Sequence, residues 1–177
     1  GEILSGWRLR NSNKPARIPE KHSETAFMTN RAMEFIEESN DKPWFLHLSY
    51  IKPHWPYVAP APYNDMYSTK DVIPPVRSDI ELNNPNPLME HLMEKVAGKT
   101  FSSQVAREKV IPVYMGLITQ IDDQLGLLFD FMQEKDLLDD TMVVFTSDHG
   151  DYFGDHWMGD KCYFHDQSVK VLSLIHI

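Results

Sequence analysis

Apolar residues recur every three or four positions in two stretches of the chain. The stretches lie over about 25–39 and about 103–135, and this spacing predicts two amphipathic helices. Ser23 or Thr25 is the expected N-terminal cap of the first helix, because a side-chain hydroxyl can accept a backbone N–H there. Pro112 predicts a kink in the second helix, or its division into two.

Two continuous apolar runs predict β-strands, at 44–50 and 141–147. Neither run alternates with polar residues, which is typical of parallel strands covered by helices on both faces. Proline-rich loops are expected over 52–63 and 68–88, and a short helix over 88–97. The succession of helices and strands predicts an α/β fold around a mainly parallel sheet.

Length, charge and cysteine content narrow the class of protein. The 177 residues suffice for one domain with a core. A net charge of −9 argues against a nucleic-acid partner, and the absence of a long apolar run argues against a membrane partner. The single cysteine, Cys162, excludes an internal disulfide, so the compartment stays open, with the cytoplasm favoured.

Asp148 and His149 are candidate metal ligands because they directly follow the predicted strand at 141–147. Open α/β sheets bind ligands at the carboxyl ends of their strands, and carboxylate and imidazole groups both bind metals. Lys161, thirteen positions after Asp148, can return to the same place and meet an anion. The alternative is a polar turn, with Asp148 as a cap and His149 bonded to a backbone carbonyl.

Lys52 and His54 follow the other predicted strand in the same way, so both loops are expected at one sheet edge. A histidine there can donate to an anionic oxygen or protonate a leaving group. The alternative is a surface loop with both side chains in water. For Asp155 and His156, we favour the ordering of a loop over the orientation of metal ligands.

Several segments carry a resemblance to a known family. They are PWFLHLSYIKPHWPY at 43–57, YMGLITQIDDQLG at 114–126 and SDHGDYFGDH at 147–156, with Lys161 beyond. FHDQS at 164–168 continues the pattern, although its histidine departs from it. Over most of residues 25–171, the chain resembles the sulfatase and phosphonate monoester hydrolase branch of the alkaline phosphatase superfamily.

The resemblance implies an alkaline-phosphatase-like sandwich, with a mainly parallel sheet flanked by helices. It also implies hydrolysis of a small sulfate, phosphonate or phosphate ester. Asp148 and His149 would bind a divalent metal, and the nitrogen ligand favours manganese over calcium. His54 and Lys161 would be catalytic, and both would contact the transferred group together with Lys52.

The chain departs from the family pattern at the nucleophile. The family uses a formylglycine made within a C-x-(P/S/A)-x-R motif, and neither this motif nor the amino-terminal acidic ligands occur here. Both are expected upstream. We therefore interpret residues 1–171 as part of a catalytic domain, inactive alone, whose full-length form could be a homo-oligomer. Residues 172–177 are interpreted as a non-native tail, with an ordinary apolar strand as the alternative.

Two other functions are open on the sequence. One is a phosphodiesterase or phosphomutase of the same superfamily, which would use a Ser or Thr nucleophile and two metals. The other is a non-catalytic relative that keeps the fold and binds anions. The nucleophile motif and the metal content of the full-length protein distinguish these alternatives.

Overall fold

The computed structural model describes residues 13–39 and 42–176. The helices and strands run in the order α1 Glu24–Ser39, α2 Asp79–Asn83, α3 Pro87–Glu94, α4 Val96–Phe101, α5 Gln104–Glu134, β1 Val143–Thr146, α6 Asp166–Val169 and β2 Ser173–His176. Short 3-10 turns occur at Glu20–His22, Thr69–Asp71, Leu138–Asp140 and Asp155–Trp157.

The chain divides into two compact units. The first contains the residues up to Tyr67 together with Pro112–Thr141, and the second contains Ser68–Ile111 and the chain from Met142 onward. Each unit has its own apolar cluster of buried side chains. The cluster of the first unit is formed by Ala59, Tyr63, Val113 and Leu117. The cluster of the second is formed by Met89, Leu92, Tyr152 and Met158.

The first predicted helix is confirmed as α1. Its amino end is capped by Ser23, whose hydroxyl oxygen accepts the N–H of Ala26 at 3.2 Å. The side-chain amide of Gln120, in α5, donates to the same hydroxyl at 2.9 Å and so connects the start of α1 with α5. Ala26, Ala32 and Ile36 supply the buried face of α1.

The second predicted helix is confirmed as α5, which continues through Pro112 without a break. Proline removes one backbone hydrogen bond and crowds the preceding turn. Val110 and Val113, on either side of it, are fully buried, so packing offsets that cost. No helix within the described ranges combines the length and apolar character needed to cross a bilayer.

The short helix predicted over 88–97 is present as α3, with a second short helix, α4, directly after it. The Asn86 side-chain oxygen caps α3 by accepting the N–H groups of Leu88 and Met89, at 3.1 and 3.0 Å. Lys95 has extended backbone dihedrals and separates the two helices. The one short helix predicted here therefore corresponds to two consecutive helices, α3 and α4.

The strand predicted over 44–50 is wrong for the described structure, where this segment belongs to no sheet. Its side chains alternate between half-buried and exposed, and Phe45 is 88% exposed. The hydroxyl of Tyr50 hydrogen-bonds that of Thr29 in α1 at 2.8 Å. Packing therefore covers one face of the segment, rather than both as the apolar run predicted.

The strand predicted over 141–147 is confirmed as the shorter β1. It pairs with β2 in antiparallel register, with Val143 opposite His176 and Thr146 opposite Ser173. Within the described residues the sheet has these two strands only, so the expected parallel pairing is not formed among them. The expected cover on both faces is also wrong here, because Val144 is exposed.

A buried arginine holds the turn that follows β1 in the second unit. Arg107 is only 2% exposed. Its guanidinium donates to the carbonyls of Phe153 and Ile73, at 2.7 and 3.0 Å. Gly154 has φ = 99°, and a Cβ there would overlap the Phe101 carbonyl, so only glycine fits this turn. The backbone carrying Asp148 to His156 is thus anchored at its far end.

Candidate metal and anion site

Three residues after β1 form a tight polar corner. The Ser147 hydroxyl donates to the His149 carbonyl at 2.9 Å. The His149 backbone N–H donates to Asp148 Oδ1 at 3.0 Å. These bonds fold the chain back on itself and fix one carboxylate oxygen of Asp148. Its other oxygen, Oδ2, faces the His149 ring.

The hydrogen bond of the His149 ring determines which nitrogen can bind a cation. Nδ1 lies 2.7 Å from the carbonyl oxygen of Gly150, and a carbonyl can only accept, so Nδ1 carries the proton. In the neutral ring, Nε2 then presents a lone pair 3.5 Å from Asp148 Oδ2. This backbone bond is the one expected for a polar turn, and it equally orients a metal-binding imidazole.

A cation between Asp148 and His149 fits this geometry. A 3.5 Å separation is longer than a normal N–H···O hydrogen bond, but two ligand atoms each about 2.1 Å from one ion can span it. The Asp148 side chain is 85% exposed and that of His149 28%, so an ion can reach both. No group of three or more candidate ligands occurs in the described parts of the chain. The assignment of Asp148 and His149 as metal ligands stays a prediction.

Lys161 belongs to the same unit as this corner and lies half-buried. Its backbone carbonyl accepts the Ser168 hydroxyl at 2.5 Å and the Tyr163 N–H at 3.0 Å. Among the described residues, its ammonium forms no hydrogen bond or ion pair. Its charge is therefore available to an anion.

In the first unit, Lys52 turns its ammonium toward its own loop. Nζ donates to the carbonyls of His54 and Pro56, at 3.2 and 2.8 Å. Burial lowers the pKa of Lys52, and nearby Glu24 partly offsets this shift. An ammonium has three N–H donors, and these two bonds use two of them. Lys52 thus holds the His54 loop, a role that the sequence did not indicate.

His54 has the same ring arrangement as His149. Its Nδ1 lies 2.8 Å from the Trp55 carbonyl, so Nδ1 carries a proton and Nε2 is the nitrogen left to act. The ring packs beside the Trp55 indole, at 5.3 Å between centroids. His54 and Lys52 lie in one unit, and Asp148, His149 and Lys161 in the other. That the residues of the two units meet at one sheet edge stays a prediction.

Asp155 and His156 order a loop, as favoured from the sequence. Asp155 Oδ1 accepts the N–H of Val76 at 2.9 Å. His156 Nδ1 lies 2.6 Å from Glu81 Oε1. The His156 ring also stacks on His165, with centroids 3.9 Å apart. The first two contacts connect the 3-10 turn Asp155–Trp157 with Val76 and α2.

We expect the Glu81 contact to make stability depend on pH. Burial raises the pKa of Glu81, but hydrogen bonds from His156 and Ser78 outweigh it and leave the pKa lowered. The stabilisation is therefore present above the unfolded-state pKa and is lost as pH falls through the folded-state value. Glu81→Gln should cost roughly 1 kcal/mol of unfolding free energy at pH 7, and this difference should shrink below about pH 4.

Urea unfolding of the full-length protein at several pH values measures this effect. Glu94→Gln, on an exposed position of α3, is the matched control and should change stability by less than about 0.5 kcal/mol. A Glu81→Gln effect that stayed constant between pH 7 and pH 3 would contradict an ionised Glu81 as its source.

The chain matches the sulfatase family model over residues 5–171. It belongs to the sulfatase family. Its place in the sulfatase and phosphonate monoester hydrolase branch of the alkaline phosphatase superfamily is confirmed by its relatives. The family match ends where the interpreted tail begins, although β2 shows that the last residues can pair as a strand.

Three relatives illustrate which proteins this chain is similar to. It is 37% identical to the multifunctional alkaline phosphatase superfamily protein PehA of Trinickia caryophylli, covering 90% of this chain and 34% of PehA. It is 31% identical to a choline-sulfatase of Rhizobium meliloti, covering 88% and 31%. The crystal structure of the phosphonate monoester hydrolase of Agrobacterium radiobacter superposes with a TM-score of 0.85 at 28% identity, covering 93% and 35%.

These similarities confirm the predicted fold class. The structural neighbours have the alkaline-phosphatase-like fold, of which this chain forms a part with helices and a small sheet. The chain spans about a third of the length of the relatives it matches.

Sequence reasoning missed several residues that shape the site. Glu81 could have been found only as a helix cap, because Ser78 and Glu81 have the spacing of a capping box. Nothing in the sequence indicated its bond to His156. Arg107 lies within the stretch predicted as the second helix, and only its burial reveals its role.

Proposed function

We propose that this sulfatase-family chain is part of a metal-dependent hydrolase of sulfate, phosphonate or phosphate esters. The observation that carries the proposal is the Asp148–His149 corner, where a carboxylate oxygen and the ring nitrogen Nε2 lie 3.5 Å apart while Nδ1 is engaged by the Gly150 carbonyl. In the neutral ring with Nδ1 protonated, both atoms are electron-pair donors, and a cation between them would bind to both. Family membership supports the reaction class.

In the proposed site, Asp148 and His149 are two ligands of one divalent metal. A carboxylate with an imidazole suits manganese better than calcium, which prefers oxygen ligands throughout. The metal would activate the nucleophile and offset negative charge on the transferred group. The other ligands and the formylglycine nucleophile are proposed to lie upstream of this chain, in a catalytic domain to which residues 1–171 belong.

The cationic side chains have separate roles in this proposal. Lys161 places its unpaired ammonium against an oxygen of the transferred group and stabilises charge there. Lys52 keeps the His54 loop in place with two donors and offers the third to the substrate. His54, when protonated on both nitrogens, donates from Nε2 to the leaving-group oxygen. Each role depends on one side-chain nitrogen, namely Lys161 Nζ, Lys52 Nζ or His54 Nε2.

Metal-dependent ester hydrolysis by the full-length protein tests the proposal. The protein is stripped of metal, reloaded with Mn²⁺ or Ca²⁺, and assayed on a 4-nitrophenyl sulfate, a phenylphosphonate monoester and a phosphate diester. We expect hydrolysis of at least one ester, higher activity with Mn²⁺, and one metal per chain. No hydrolysis by the metal-loaded protein would contradict the proposal. Two metals per chain would favour the branch with a Ser or Thr nucleophile.

A further inference from the structure

Ser168 makes two hydrogen bonds that connect the metal corner with Lys161. It lies in α6 and is only 3% exposed. Its backbone carbonyl accepts the N–H of Gly150 at 2.8 Å. Its hydroxyl donates to the Lys161 carbonyl at 2.5 Å. One buried residue therefore holds both the residue after His149 and the backbone of the candidate anion-binding lysine.

Gly150 lies in close contact with the backbone of α6. A Cβ on Gly150 would overlap the carbonyl oxygen of Gln167, the residue before Ser168. Glycine thus allows the backbone after His149 to lie directly against α6. The corner and α6 are consequently packed backbone to backbone, and Ser168 lies at the point where they meet.

Tyr152 provides a second connection between the same two segments. Its backbone N–H donates to the Asp160 carbonyl at 3.0 Å. Its hydroxyl accepts the backbone N–H of His165 at 3.1 Å. The chain is therefore held on both sides of Lys161 by a residue that is itself buried. Only the Ser168 hydroxyl bonds Lys161 itself from α6.

We propose that Ser168 is a positioning residue, which fixes Lys161 relative to the Asp148–His149 corner so that its ammonium reaches the transferred oxyanion. The inference rests on the proposed function, because it gives Lys161 an anion to bind. The lysine side chain is long and flexible, so the position of its backbone determines where the ammonium can reach. A small misplacement of a catalytic group can cost a large factor in rate.

Loss of the hydroxyl should leave the protein folded. In Ser168→Ala, the Lys161 carbonyl keeps its bond from the Tyr163 N–H, and the backbone bond between Gly150 and Ser168 does not involve the side chain. The Ser168 effect should therefore appear in anion binding and turnover more than in stability. Ser168→Cys, which keeps the size and a weak donor, provides a second variant.

A double-mutant cycle in the full-length enzyme tests the proposal. The variants are Ser168→Ala, Lys161→Ala and the combination. The measurements are kcat/KM, inhibition by inorganic phosphate and metal content. We expect Ser168→Ala to lower kcat/KM and weaken phosphate inhibition by about 10-fold, with unchanged metal content. In the Lys161→Ala background, the same substitution should have almost no effect, because two residues that act as a unit are not additive.

Ser102→Ala is the matched control, because its hydroxyl also donates to a backbone carbonyl, that of Lys99 at 3.0 Å. It should leave both measurements within about twofold. Ser168→Ala losses that are equal with and without Lys161 would overturn the inference, as would no loss at all. If Lys161→Ala alone changes neither rate nor phosphate inhibition, the role of Lys161 in the proposed function fails. If Ser168→Ala does not fold, Ser168→Cys replaces it in the double-mutant cycle. Its effect on kcat/KM and on phosphate inhibition should then also disappear in the Lys161→Ala background.

Discussion

Asp148→Asn in the full-length protein is expected to deplete the divalent metal and abolish most ester hydrolysis. Asparagine keeps the size of the side chain and one oxygen, but it loses the negative charge that faces His149 Nε2 at 3.5 Å. Removing the charge of a ligand should weaken metal affinity by roughly 100-fold or more. Even mutation of residues that only hydrogen-bond to metal ligands lowers metal affinity by about 10- to 100-fold. Elemental analysis after dialysis measures the loss directly.

The same variant should remain folded, because Asp148 is largely exposed and the apolar clusters do not involve it. Asp139→Asn, at an exposed position in the turn before β1, is the matched control and should retain both metal and activity. Asp148→Asn protein that kept its metal at normal affinity would remove this residue from the ligand set. High Mn²⁺ concentrations should partly restore activity, because the affinity is reduced rather than lost.

His54→Gln is expected to slow hydrolysis in proportion to how poor the leaving group is. Protonation of the leaving oxygen contributes roughly 100- to 10,000-fold when that oxygen cannot leave as an anion. Alkyl esters should therefore lose about 100-fold or more, and 4-nitrophenyl esters about 10-fold or less. Glutamine can still donate a hydrogen bond, but it cannot transfer a proton. The measurement is kcat/KM across a series of leaving groups.

The metal content of His54→Gln should stay normal, which separates this effect from the loss at Asp148. His91→Gln, on an exposed position of α3, is the control and should leave the whole series unchanged. An equal loss for every leaving group would mean that His54 acts on the transferred group alone. His54 would then bind the anion, and the source of the proton would have to be another residue.

The helices could be predicted from sequence because their signals are local. The apolar spacing and the Ser23 hydroxyl in α1 are both contained within a few turns of chain. Pro112 does not divide α5 into two helices, and this has a physical reason. The helix-breaking tendency of one proline is offset when the helix is long and its flanking valines are buried, and that burial depends on the rest of the fold.

The strands were harder because a strand depends on partners distant in sequence. The run at 44–50 and β1 have similar apolar composition, yet only β1 is paired in the described structure, through its register with β2. Composition cannot determine which segment lies beside another. It also could not show that one face of each segment is exposed.

Adjacency along the chain made part of the candidate site predictable. Asp148 and His149 are neighbours, so their meeting required only a turn after a strand. Lys52 is different, because its residue type suggested a substrate contact while its ammonium bonds the His54 loop. The bonds of Glu81 to His156 and of Ser168 to Lys161 could not be predicted. The first spans 75 positions, and the second depends on backbone packing at Gly150.

The family, the main helices and the residue types of the site can be recognised from the amino-acid sequence, because they depend on local pattern and chemical identity. The tertiary structure alone decided which ring nitrogen of His149 faces Asp148 and what Lys52 binds. It also decided that Ser168 joins Lys161 to the corner. Directed hydrogen bonds need atoms within about 3 Å of each other, and only the folded backbone brings atoms from distant positions that close.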